Sequence, residues 1–220
     1  MSNYTHFELS FDDAGIARLS MDAKGRSVNV FAQEVMAELI EAVDEIVTRA
    51  PAGFVFSSAK PRGFIFGADV NEFALFASAA EIEAHIADVL ACFATIEGLD
   101  CPSVILIDGI CVGGGFELAL AFDRIIAIDD AACQVGFPEI NLGLLPGYGG
   151  SVRAWDRMGP ETALKLVLHG RPMKAREAFE ANAIDHLIAS RDDLAAAGRE
   201  AIAGRIARRP APRTADIAAM

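Results

Sequence analysis

The stretch GICVGGGFELALAFD, from Gly109 to Asp123, sets three glycines, Gly113 to Gly115, against an apolar helical pattern with a lone acid, Glu117. Glycines before a helix admit two readings. They can make a tight turn or let the helix pack closely, or they can bare backbone N–H groups to a ligand oxygen at the electropositive helix start. A second acid, Glu139, lies in GFPEINLGLLPG, again among apolar residues. Each glutamate could be a capping or salt-bridging acid. Two buried carboxyls beside one glycine-rich turn would instead suit proton transfer next to an oxyanion site. Burial would raise both pKa values, so that one could hold its proton near neutrality. A third stretch, KPRGFIFGADVNEF, puts Gly67, Ala68 and Asp69 at another loop-to-helix turn. Two N–H groups from separate turns can converge on one oxygen more readily than two from a single loop.

The elements around these residues alternate between strand and helix patterns, which implies an α/β protein. Strands are expected at 4–11, 16–21, GFVFSS, SVILID, RIIAID and AIDHLI. Helices are expected at 32–49, from the GAD turn, at 79–96, after the glycines, from near Gly149, and at 194–208. Asp69 is a plausible cap for the helix after the GAD turn. In the first helix, Phe31, Val35, Leu39, Val43 and Val47 would share the buried face. SVILID is almost wholly apolar, as a strand covered on both faces should be. The end of the chain, RRPAPRTADIAAM, reads as a linker or frayed tail. Residues 1–190 are expected to form the core and 191–220 a short helical tail.

With 220 residues and 53% hydrophobic side chains, the chain can bury a substantial single-domain core. A net charge of −12 argues against a nucleic-acid partner and against docking on anionic membranes. It leaves room for a small anionic ligand held by local cations. Cys92, Cys101, Cys111 and Cys133 show no CxxC spacing and no zinc pattern. They read as reduced, mostly buried thiols in a cytoplasmic protein. No apolar run reaches the ~18 residues of a membrane span. The start of the chain is neither a signal nor a transit peptide. GxGxxG fails because Leu118 stands where the last glycine is needed, and neither GxxxxGK nor GxSxG occurs. His85, His169 and His186 show no partner pattern and read as structural or surface residues; His6 is given no role. Trp155 reads as packing.

FIFGADVNEF, IDGICVGGGFELALAFD and VGFPEINLGLLPGYGGSVR, in that order, resemble the crotonase (enoyl-CoA hydratase/isomerase) superfamily over roughly residues 4–188. The likeness is strongest to the hydratase domains of multifunctional fatty-acid β-oxidation proteins. The resemblance implies a spiral of ββα units with a shortened C-terminal helical region. It implies an oxyanion hole made by the N–H groups of Ala68 and Gly114, which would hold a thioester carbonyl. Glu117 and Glu139 match the two hydratase glutamates, with Glu139 the proton donor to C2. Gly67, Asp69, Gly113, Pro138 and Gly147 belong to the same motifs and would line the substrate site. Lys24, Arg26, Lys60 and Arg62 fall where the family meets the adenine and phosphates of coenzyme A. Arg26 and Lys60 are the chosen pair, against the alternative of ordinary solvated charge. No metal and no cofactor beyond the substrate's own coenzyme A is implied.

Family members acting alone usually continue well past the strand corresponding to AIDHLI, adding helices that cover the acyl pocket and support a trimer. Here only residues 189–220 follow. The chain is therefore expected to be either the leading piece of a multifunctional protein with a dehydrogenase partner or a short member. A missing lid would leave apolar surface exposed or filled by a partner chain. The activity implied is enoyl-CoA hydration. The alternatives are another acyl-CoA chemistry (isomerase, hydrolase or decarboxylase) or a non-catalytic acyl-CoA-binding fragment.

Overall fold

A computed structural model describes residues 4–61 and 63–205. The chain opens with β1 (Phe7–Phe11) and β2 (Ile16–Met21), an antiparallel pair. Helix α1 (Gln33–Arg49) follows and leads into β3 (Gly53–Ser58), which lies parallel to β2. A 3-10 segment (Val70–Leu75) and α2 (Ala79–Glu97) precede β4 (Ser103–Ile107). Then come β5 (Ile110–Val112), α3 (Gly114–Leu120), β6 (Arg124–Ile128) and β7 (Gln134–Gly136). A short 3-10 turn (Glu139–Leu142) leads to α4 (Gly150–Met158) and α5 (Pro160–His169). The described chain closes with β8 (Met173–Lys174), α6 (Ala175–Glu180), β9 (His186–Ile188) and α7 (Leu194–Ile202).

The strands form two sheets. Six run in the order β1-β2-β3-β4-β6-β9, and β5-β7-β8 form a smaller sheet. Beyond the β1–β2 hairpin, every neighbouring pair of the large sheet is parallel. Its central strands are apolar on both sides because both sides are covered. In β3, Phe54 and Phe56 enter the main core while Val55 faces the other way. In β4, Ile105 and Ile107 alternate in the same manner with Val104 and Leu106. Helix α7 covers that second side through Leu194, Ala197 and Ala201. It is thus packed against the sheet, and the segment RRPAPRTADIAAM lies outside the described residues.

Helix α1 buries Val35, Met36, Leu39, Ala42, Val43 and Ile46, but Val47 is 44% exposed. Five residues at a strict four-residue spacing drift around a helix of 3.6 residues per turn, so the last of them leaves the core. The segment after Asp69 is a 3-10 helix, and the side chain of Asp69 caps it by accepting the Asn71 N–H at 3.1 Å. The final helix stops at Ile202. The small sheet is the part the alternation of strands and helices does not foretell. Its strands are two or three residues long and lie inside runs that read as loops.

Candidate active site

Strand β5 ends at Val112, and Gly113 then takes φ +56°, ψ −134°, a conformation that a side chain makes costly. The chain reverses there into α3. That helix is buried throughout, so Glu117 is carried into the interior with only 1% of its surface exposed. The loop bearing the GAD turn is stitched to the same place. Ile65 pairs with Cys111, and Val112 donates its N–H to the Ile65 carbonyl at 2.9 Å. Gly67, at φ +91°, lies against the glycine run, where a Cβ would sit 3.2 Å from the Val112 carbonyl and 3.6 Å from the Gly114 nitrogen. At that φ any side chain would be strained, and the Val112 carbonyl would have to give way.

On either side of Ala68, main-chain bonds run to Phe31. Phe31 donates to the Gly67 carbonyl at 2.8 Å, and Asp69 donates to the Phe31 carbonyl at 3.0 Å. The N–H of Ala68 itself makes no hydrogen bond among the described residues, and neither does that of Gly114, the first residue of α3. Both residues line one cavity of about 370 Å³. Glu117, Glu139, Gly67, Gly113, Pro138 and Gly147 line it too. The remaining wall is largely apolar, with Phe66, Phe76, Ile82 and Ile86 among its residues. Val70, Leu142 and Leu145 also line it and are exposed to solvent.

The two acids are held differently. Glu117 Oε1 accepts the backbone N–H groups of Tyr148 and Gly150, each at 2.8 Å. Burial raises its pKa from the ordinary carboxyl value to about 7; these two bonds oppose the rise and the nearby Glu139 adds to it. Glu139 begins the 3-10 turn after Pro138, and its carboxyl lies over Gly113, whose Cβ would meet Glu139 Oε1 at 3.0 Å. Its Oε2 is buried with no hydrogen-bond partner among the described residues. Burial raises this carboxyl as well. A buried carboxylate oxygen with no partner is costly unless the group is protonated or meets a ligand.

Three of the anticipated substrate-binding residues do not line the cavity. Lys60 is buried, and its ammonium donates to the carbonyls of Ala23 (2.8 Å) and Arg26 (2.7 Å) and pairs with Asp22 (2.7 Å). All three of its N–H bonds are thus committed to fastening the loop after β2. Arg26 pairs with Asp69 at 2.5 Å and approaches Glu72 at 3.7 Å. Asp69 is occupied by that pair and by its cap, and Arg62 lies outside the described residues. Local sequence shows the charges but not the acids that fold against them.

Sequence reasoning missed Tyr148 and His85. Both line the cavity, and His85 Nε2 lies 3.1 Å from the Tyr148 hydroxyl. His85 is therefore part of the site wall instead of an isolated structural or surface residue. Its position three residues past Ile82, which also lines the cavity from α2, is the signal that could have found it. Trp155 packs half-buried against the core, as expected. The four cysteines are free thiols, and three are buried. No group of three or more His, Cys, Asp or Glu among the described residues could hold a metal ion. No described helix is long and apolar enough to cross a membrane.

A parallel-rich sheet and two loop-to-helix turns that meet through bare glycine backbone thus bring two carboxyls to the wall of one cavity. The chain belongs to the enoyl-CoA hydratase/isomerase family, whose sequence model matches residues 12–215. Among solved structures it is similar to an enoyl-CoA hydratase from Bacillus anthracis, with 26% identity and a TM-score of 0.82 over 92% of this chain and 77% of the other. It is also similar to an enoyl-CoA hydratase/carnitine racemase from Magnetospirillum magneticum, with 26% identity and a TM-score of 0.81 over 93% and 75%. The enoyl-CoA hydratase of Geobacillus kaustophilus shares the fold at a TM-score of 0.85 and 24% identity, over 92% and 75%.

Proposed function

We propose that the chain is an enoyl-CoA hydratase, adding water across the C2=C3 bond of a 2-enoyl-CoA thioester. The observation that carries this reading is the shared cavity, where two uncommitted amides and two carboxyls with raised pKa values meet. The thioester oxygen would accept the N–H groups of Ala68 and Gly114. The water oxygen bonds to C3 while Glu117 takes one of its protons. The π pair moves toward C2 and the carbonyl, and the two amides stabilise the enolate-like oxygen. Glu139 then delivers a proton to C2, and proton return from Glu117 to Glu139 resets the site. Fixed dipoles stabilise that charge without reorganising, and losing one such donor typically costs about 3–4 kcal/mol.

The presence of both acids favours hydration over double-bond isomerisation, which needs only one proton relay. No step requires a metal or redox group. The apolar wall suits an acyl chain.

The test is the loss of enoyl-thioester absorbance when the chain meets crotonyl-CoA, compared with Glu117→Gln and Glu139→Gln. Each substitution is expected to lower turnover by about 10²-fold or more while substrate still binds. Release of free CoA thiol would indicate a hydrolase. Binding without turnover by the unsubstituted chain would indicate a non-catalytic acyl-CoA protein.

A further inference from the structure

Tyr148 touches both halves of the site. Its backbone N–H is one of the two donors that fix Glu117 Oε1. Its ring stands against Gly114, where a Cβ would lie 3.2 Å from ring atoms Cδ2 and Cε2. One residue thus holds the carboxyl and packs against the α-carbon of Gly114, whose amide the proposed chemistry uses.

The ring is in turn held from outside. Its hydroxyl meets His85 Nε2 at 3.1 Å, and the two rings meet edge to face at 6.1 Å. Phe93 meets the Tyr148 ring edge-on, also at 6.1 Å. The Tyr148 carbonyl accepts Arg153 Nη1 at 2.7 Å, and Arg153 is itself clamped by Glu97 through two 2.8 Å bonds. Burial pushes the Tyr148 phenol up to about 12, so it keeps its proton. Burial also holds His85 below the usual imidazole range, opposed by Asp88 on the same helix and by Glu72 on the preceding 3-10 segment. A protonated phenol beside a neutral imidazole shares one hydrogen bond with it, and the imidazole tautomer sets which of the two donates.

We infer that Tyr148 and His85 are positioning residues of this site, with His85 locking the Tyr148 ring so that its main chain holds Glu117 and its ring backs Gly114. The inference rests on the hydratase reading only for its kinetic consequence. The restraint on Glu117 is a property of the resting protein. If the lock loosens, the N–H bond from Tyr148 weakens, and a bond that favours the ionised carboxylate is lost.

The experiment has two arms, applied to the full chain, Tyr148→Phe, His85→Leu and His85→Gln. The first follows the Glu117 side-chain carboxyl by carbon NMR through a pH titration. Tyr148→Phe, which removes one oxygen and little shape, and His85→Leu are expected to raise the Glu117 midpoint by about half a unit or more. His85→Gln, whose side-chain amide can accept from the phenol or donate to it, is expected to leave it near the parent value. The second arm measures turnover of crotonyl-CoA. The first two variants should lower kcat by about tenfold with KM changed less than about twofold, and His85→Gln should recover most of the loss. An unchanged Glu117 midpoint in both Tyr148→Phe and His85→Leu overturns the inference. If the parent chain does not turn over crotonyl-CoA, the hydratase reading fails while the titration arm still decides this one.

Discussion

Glu117 sits at 1% exposure and still titrates at about 7, because two backbone N–H groups partly repay the cost of burying its charge. As the proposed base it must be ionised, so crotonyl-CoA turnover should rise with pH through about 7. As the proposed acid, Glu139 must keep its proton, so turnover should fall where that carboxyl ionises; the pH profile of kcat/KM checks both limbs. The same burial affects stability. Between the ordinary carboxyl value of 4.5 and about 7, the native state holds a proton that the unfolded chain releases. Stability therefore falls as pH rises across that window. Glu117→Gln removes this loss. It should raise the unfolding free energy at pH 8, by up to about 3 kcal/mol, and change it far less near pH 4, in denaturant titrations at the two pH values.

At the scale of elements, α3 shows how a local preference can be overruled. Gly115 lies inside a helix with no left-handed φ, where alanine would ordinarily be the better residue. Yet a Cβ there would stand 2.7 Å from Ile65 Cβ and Cγ2 and 2.8 Å from the Ile65 carbonyl oxygen. Helix α3 touches the loop that carries Ala68, and the missing side chain permits the contact. Gly115→Ala should therefore destabilise the protein by about 1–3 kcal/mol, measured by urea unfolding, and should depress turnover further by separating the two amides. The three glycines thus have different tasks. Gly113 turns the chain, Gly114 leaves its amide uncommitted, and Gly115 lets the elements meet.

Across the whole molecule, the last strand is tied to the rest by a buried charge network. Asp185, just before β9, accepts the Ile125 N–H at 2.7 Å and pairs with Arg157 of α4, while Arg157 also donates to the Asn182 carbonyl at 3.1 Å. Both side chains are more than nine-tenths buried. Asp185→Ala would take the carboxylate partner from the buried guanidinium and the acceptor from the Ile125 N–H. The expected loss is about 3–5 kcal/mol, visible as a lower thermal midpoint. This junction links α4, whose first residue helps hold Glu117, to the edge of the large sheet. Such links let the sheet position a site built from loops and short helices.

The amino-acid sequence by itself determined the strands of the large sheet, most of the helices, and the motifs that carry Ala68, Gly114, Glu117 and Glu139. Hydrophobic periodicity and glycine placement are local properties, and a chain displays them without folding. Tertiary structure alone decided which charges are already engaged, as with Lys60 and Asp22, and which side chains back the site, as with Tyr148 and His85. It also decided the small sheet, whose strands are too short to carry a period of their own. These features arise from contacts between residues tens of positions apart, such as the 63 that separate His85 from Tyr148. No local pattern encodes the partner in such a contact, because its identity is fixed only when the elements pack.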